Sequence, residues 1–253
     1  MRIDLLGAAV GDGPAAEVPS LTLAIAAGAP VVIAVETDER PKLVSLLLGG
    51  HLRPSAGEIL VDGRADAAAL RRGIALVDTP FASEPTPGVA LRAAVAEELA
   101  FAGRRTGRRA VAEVLDRHGL ADAAARPVAS LPAAERIRLL VDLALLRPGV
   151  RALVVTSPER HGGDPRGWFP ALAAIAAGGT AVAVVTDLPT AALLDTLGGI
   201  RTAPDPEPIP EPDTDPARTP DANPAPAPDT AAGTEPPASD ASPDTHPDPQ
   251  DPR

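Results

Sequence analysis

The chain has 253 residues, enough for one large α/β domain with a complete core, and its net charge of −11 is unevenly spread. The stretch from Thr202 to Arg253 holds 16 of the 31 prolines and 12 acids against Arg218 and Arg253, so the preceding body is close to neutral and gives no charge argument for nucleic acid or anionic lipid. Cysteine is absent, which excludes disulfides and thiolate metal sites, and the four histidines are too scattered to suggest a metal cluster.

Taken in order, Met1 to Leu6 and Ser20 to Ile25 alternate as strands do, around a loop from Gly11 to Pro19. The start, MRIDLLGAAVGDG, contains no apolar stretch of signal-peptide length, and no run of about 18 uncharged apolar residues follows anywhere. The expectation is a soluble, cytoplasmic protein without direct membrane insertion. Pro30 to Val35 is a short β-branched run suited to a strand buried on both faces of a parallel sheet. After a charged loop with Glu36, Asp38, Glu39 and Arg40, the residues Leu43, Leu46, Leu47 and Gly50 recur at helical spacing. Gly49-Gly50 stops that helix, Arg53-Pro54-Ser55-Ala56-Gly57 turns, and Glu58 to Val61 is a strand closed by Asp62-Gly63.

SLLLGGHLRPSAGEILVDGR resembles the segment that follows the phosphate loop in the ATP-binding subunits of ABC transporters, where a helix ending in Gly leads to R-P-x-x-G and a strand ending D-G. In that register VETDERPKL, residues 35–43, lies on the nine positions that read GPNGAGKST in active members, with Pro41 on the lysine and Lys42, the only lysine, on the magnesium-binding Ser/Thr. A phosphate loop wraps its anion in backbone N–H groups and needs glycine for that approach. None of the three glycines is present here, and Glu36, Asp38 and Glu39 repel an anion. Asp38 is placed to cap the helix beginning near Pro41, and with Glu39 to meet its positive end in place of phosphate.

Further along, Asp66 to Arg72 reads as a short helix and Gly73 to Val77 as a second buried strand, after which Thr79 stands in the slot of the family's glutamine. Pro85-Thr86-Pro87-Gly88 resembles the entry to the family's helical subdomain, whose helices here are Val89 to Ala102 and Arg108 to His118. Ala129 to Arg138 resembles the signature LSGGQRQR, with Leu131, Arg136 and Arg138 kept and Pro132, Ala133 and Ala134 in place of its serine and glycines. Read locally, Ser130 is a helix N-cap and Pro132 lies in the first turn. Arg151 to Val155 is a third buried strand, and Thr156 and Ser157 stand where the family has its Asp-Glu pair. Trp168 to Ala177 is helical, and Thr180 to Val185 is a fourth strand ending Val-Thr-Asp where active members end Thr-His-Asp. No tyrosine exists, and the earliest aromatic is Phe81, so the family's adenine-stacking ring is missing.

The resemblance covers residues 1–201 and implies an α/β fold, a P-loop NTPase-like three-layer sandwich of the ABC ATP-binding domain type, with a helical subdomain at about 88–131. Residues 202–253 form a Pro/Asp/Ala-rich acidic tail too poor in apolar groups to fold, and disorder is expected there. Every catalytic position departs from the pattern at once, which argues against metal-assisted phosphoryl transfer, so no catalytic residue and no metal ligand is assigned. His161 with Glu159 and Asp164 reads as an ordinary polar loop. The resemblance implies a degenerate ATP-binding subunit working with a permease or with an intact ATP-binding subunit, at the inner face of the cell membrane. Two alternatives stand beside it. One is a free-standing interaction or regulatory protein on the same fold. The other is residual nucleotide binding at Arg40 and Lys42, with ATP and Mg as weak ligands only.

Overall fold

The computed structural model describes residues 1–13, 16–36 and 39–202. In chain order the strands are β1 (Ile3–Val10), β2 (Val18–Ile25), β3 (Val31–Ala34), β4 (Ala56–Val61), β5 (Ile74–Val77), β6 (Ala152–Thr156), β7 (Ala181–Thr186) and β8 (Ile200–Thr202). The helices are α1 (Arg40–Leu48), α2 (Ala67–Gly73), α3 (Leu91–Phe101), α4 (Arg108–Arg117), α5 (Ala133–Leu145), α6 (Phe169–Ala177) and α7 (Leu188–Thr196). The expected tail, from residue 203 on, and the capping role of Asp38 both lie outside the described residues.

Five strands form a parallel sheet in the order β5-β6-β7-β3-β8. The four runs read as buried strands all enter it, and β3, β5, β6 and β7 are buried at every residue, as a sheet covered on both faces requires. Alternation along each strand divides the core in two. Ile33, Leu76, Val154 and Ala183 face α1 and the antiparallel strands, whereas Val32, Val77, Leu153 and Val184 face α5, α6 and α7. A three-layer sandwich results.

Alternating strands near the N-terminus suggest an antiparallel edge to this sheet, but β1, β2 and β4 do not join it. They make their own three-stranded sheet, β2-β1-β4, which closes over the α1 side of the core. β1 also runs on to Val10, and β2 starts at Val18, so Pro19 belongs to a strand and the loop is shorter than the sequence suggests. α7 and β8 extend the body past the strand at which the sequence reading stopped, and Thr202 is the last residue of β8 rather than the first of the tail. Asp187 starts α7 by accepting a hydrogen bond from the Thr190 N–H at 2.7 Å.

The third core cluster is helical. Leu91, Val95 and Leu99 of α3 and Val111, Val114 and Leu115 of α4 pack on Leu139 and Leu143 of α5. The opposite face of α5, Ile137, Leu140, Val141 and Ala144, lies on the parallel sheet. α5 is therefore the element common to both packings. It starts at Ala133, two residues later than a Ser130 cap would place it. Ser130 instead closes a 3₁₀ turn, its hydroxyl donating to the Pro127 carbonyl at 2.8 Å.

Gly57 in β4 has φ +67°, and a Cβ there would lie 2.1 Å from the Gly7 carbonyl oxygen of β1. Gly57→Ala should lower stability by more than the ~1–3 kcal/mol of left-handed strain. Gly63→Ala, at φ +79° with open space around it, should cost the strain alone. Equal urea midpoints for the two variants would contradict this packing.

Candidate functional site

In a parallel sheet all the strand C-termini lie along one edge, where α/β proteins bind ligands. Four segments meet at that edge here: the loop from Val35 into α1, Asp78-Thr79 after β5, Ser157 after β6, and Thr186-Asp187 at the end of β7.

α1 begins with Pro41 in its first turn, where the missing N–H costs nothing. The residue before the helix, Glu39, has helical backbone angles and makes no side-chain cap. Its carboxylate pairs with Lys42 one turn on, and Arg40 pairs with Glu36. The two cations singled out as nucleotide contacts are thus both held by neighbouring acids. The Lys42 ammonium also lies 5.4 Å from the centre of the Phe81 ring, and Phe81 is itself 96% exposed with φ +58°.

Behind this loop lies a dry chain of hydroxyls. Ser45 of α1 donates to the Pro41 carbonyl at 2.9 Å, Ser45 and Thr156 are 2.7 Å apart, and Thr156 and Thr79 are also 2.7 Å apart. All three side chains are fully buried. Each has one proton, and the order Thr79 to Thr156 to Ser45 to Pro41 uses every one without conflict. Thr156 and Thr79 stand in the carboxylate and glutamine slots of the resemblance. Divalent cations are held by carboxylates together with neutral oxygens, whereas these three groups bring no negative charge and are fully buried. As a set they do not fit Mg-ATP.

On the outer side of that chain is a cleft of about 420 Å³ lined by Glu39, Lys42, Ser157, Glu159, Arg160 and Asp187. Glu159 accepts the Thr186 hydroxyl at 2.6 Å, and its carboxyl is pushed above the usual range by burial and, to a lesser degree, by nearby Asp187. The cleft mixes three acids with two bases. A phosphate site is usually net positive with backbone donors converging on it.

The strongest electrostatic feature of the edge is Asp78, which is 1% exposed and has φ +57°. Arg136, from the first turn of α5 and 2% exposed, grips it with both prongs: Nη2 donates to Oδ1 at 2.6 Å and Nε to Oδ2 at 2.9 Å. His161 Nε2 lies 2.6 Å from Oδ2, and Arg160 Nη2 is 3.3 Å from Oδ1 and 3.1 Å from Glu84. Burial alone would raise the Asp78 pKa, but the hydrogen bonds of His161 and Arg136 and the charges of Arg136 and Arg160 reverse this, holding it far below the usual carboxylate range. Asp78, Glu84 and His161 bring ligand atoms within 4.8 Å of one another. Two guanidinium groups already supply the positive charge there. The trio considered in the sequence separates: Glu159 bonds Thr186, His161 bonds Asp78, and Asp164 accepts from the Arg166 N–H. Sequence reading passed over Asp78, Glu84 and Arg160, because nothing in local spacing pairs residue 78 with residue 136.

No family model matches the chain. Among curated proteins, the methionine import ATP-binding protein MetN of Thermobifida fusca (strain YX) is 41% identical over 106 residues, 39% of this chain and 33% of that protein. The chain therefore matches about a third of that relative's length. Among solved structures, a nucleotide-free ATP-binding cassette from an ABC transporter aligns with TM-score 0.57 at 14% identity, over 80% of this chain and 87% of its own. The fold is that of the ABC ATP-binding cassette. The cassette cbiO1 from Clostridium perfringens, part of the ABC transporter complex cbiONQ, aligns with TM-score 0.51 at 16% identity, over 73% of this chain and 77% of that one. Identity this low carries the cassette fold and leaves the chemistry to the residues described above.

Two variants test the electrostatics and the hydroxyl chain. Asp78→Ala leaves the buried Arg136 with only the longer ion pair to Glu84 at 3.8 Å and should cost about 3 kcal/mol, with much of this recovered in the double variant Asp78→Leu/Arg136→Leu. Because the Asp78 pKa is depressed by folding, its contribution is complete above the ordinary carboxylate pKa and fades as pH falls below it. Urea titrations from neutral pH downward should show the wild type losing stability faster than the double variant. Thr156→Val strands the Thr79 proton and should cost about 1–3 kcal/mol, measured by the same titration at neutral pH.

Proposed function

We propose that this chain is a degenerate ABC ATP-binding subunit, one that does not hydrolyse ATP and acts as a structural or regulatory component of an ABC transport system. The observation that supports this reading is the buried hydroxyl chain Thr79–Thr156–Ser45, in which Thr79 and Thr156 put neutral groups in the glutamine and carboxylate slots of the resemblance. The local pairing of Arg40 with Glu36 and Lys42 with Glu39 supports the same reading, because neither cation is left for a phosphate. An in-line phosphoryl transfer needs a placed metal, a Lys charge and a water-orienting group together. In the register of the resemblance the slots for these groups hold Pro41, Thr79, Thr156 and Ser157.

What remains for such a subunit is its surface. Among the described residues no helix is long and apolar enough to cross a membrane, so contact with the bilayer would run through a permease. cbiO1, which shares the fold, is part of a transporter complex, and the MetN relative is an import ATP-binding protein. By analogy the partner here is a permease or an intact ATP-binding subunit.

Affinity purification of the tagged chain from its own host should recover a permease or an intact cassette in complex with it. The ATPase rate of that complex should vanish when the intact subunit loses its catalytic carboxylate and should be indifferent to Thr156→Val in this chain. Recovery of the chain alone, or ATPase activity of the isolated chain above the buffer rate, would contradict the proposal.

A further inference from the structure

At the end of the parallel sheet away from the phosphate loop, the charge pattern departs from that of the body. A cleft of about 620 Å³ opens there, at the start of β5 and before β6. Arg71 and Arg72 reach it from the end of α2, Arg147 from just after α5, and Arg151 from just before β6, and no acidic residue lines it. In a body whose acids and bases nearly balance, four guanidinium groups at one concavity are a local excess.

Their own partners leave much of that charge available. The exposed Arg72 side chain forms no hydrogen bond or close ion pair among the described residues, its charge acting on Asp66 at longer range, and Arg151 meets Asp62 at 3.3 Å with both side chains about half exposed, a kind of pair that contributes little. Arg71 donates one N–H to the Gly50 carbonyl at 2.8 Å. Arg147 binds Glu98 at 2.6 Å, while its Nε is buried without a hydrogen-bond partner. The Arg147 guanidinium lies 5.5 Å from the ring centre of Phe101, a side chain 62% exposed at the edge of the cleft. Exposed aromatic and arginine groups side by side are the composition of a binding hot spot.

We propose that this cleft docks an acidic segment of a partner protein, with carboxylates on Arg72 and Arg151 and an apolar side chain on Phe101. Guanidinium groups hold carboxylates through two parallel hydrogen bonds, which suits Asp and Glu side chains on a peptide. The cavity is about twenty times the ~30 Å³ share of one water, too large for a single small anion to fill. On one side the adjoining cleft, which shares Phe101 and Arg147, is lined by Glu84, Glu97 and Glu98. Those acids oppose a continuous phosphate chain on that side. This inference does not depend on the reading of the phosphate loop.

The probe is a fluorescein-labelled peptide of repeating Glu-Glu-Leu, titrated with the full chain and followed by anisotropy. The titration is repeated with a full-length variant whose 12 acids after Thr202 are changed to amides, so that carboxylates of the chain itself do not compete. Saturable binding to this second form is expected. Arg72→Glu/Arg151→Glu should weaken it roughly tenfold or more, Phe101→Ala several-fold, and high salt should abolish it. The control Arg166→Glu/Arg201→Glu, at exposed positions before α6 and in β8, should leave binding within about twofold. All three sets are surface changes, and unchanged melting curves confirm that each variant folds. No binding, equal loss in the control, or tighter binding of a thymidine oligomer or of phosphatidylglycerol vesicles would overturn the proposal.

Discussion

The bidentate ion pair between Asp78 and Arg136 is the contact on which the arrangement of this chain depends. It joins the end of a core strand to the first turn of α5, the one helix that packs both on the sheet and on the helical cluster. Arg160 and His161 bring the turn after β6 to the same carboxylate. A buried pair of this kind adds little net stability over apolar packing, but it leaves few alternatives to the geometry it satisfies. It ties α5, on which the helical cluster packs, to the end of β5 beside Thr79.

From that constraint the chemistry of the edge follows. With Thr79 held in place, its hydroxyl meets Thr156, which meets Ser45, and the chain ends on a carbonyl of α1. The helix start is bordered by acids that pair with Arg40 and Lys42 instead of leaving positive charge for an anion. A cassette that holds ATP leaves such groups open to be completed by ligand. Here they complete one another, so the energy of forming the edge is internal to the fold.

Much of the architecture was legible because it rests on short-range patterns. The buried runs at Val31, Ile74, Leu153 and Ala181 are β-branched or small and bounded by turns, and all four entered one parallel sheet. The separate antiparallel sheet was not legible, since alternation in β1, β2 and β4 identifies strands without saying which sheet they join. α7 carried its own start signal, Asp187 before Leu188-Pro189, and was missed because the reading stopped at the end of β7. At the candidate site the resemblance alone indicated which family residues have no counterpart, among them those at positions 41, 79, 156 and 157. What replaced them was not visible, because hydroxyls at 45, 79 and 156, and the carboxylate and guanidinium at 78 and 136, meet only through tertiary packing. Ser130 illustrates the same limit, since a good capping residue was taken by a 3₁₀ turn whose carbonyl lay closer.

The central claim is that the phosphate edge is completed by the protein's own groups. Isothermal titration calorimetry of the full chain with Mg-ATP tests it most directly. The account predicts no saturable heat up to millimolar nucleotide and no change in the melting temperature. Saturable binding with micromolar affinity, accompanied by an upward shift of the melting temperature, would contradict it.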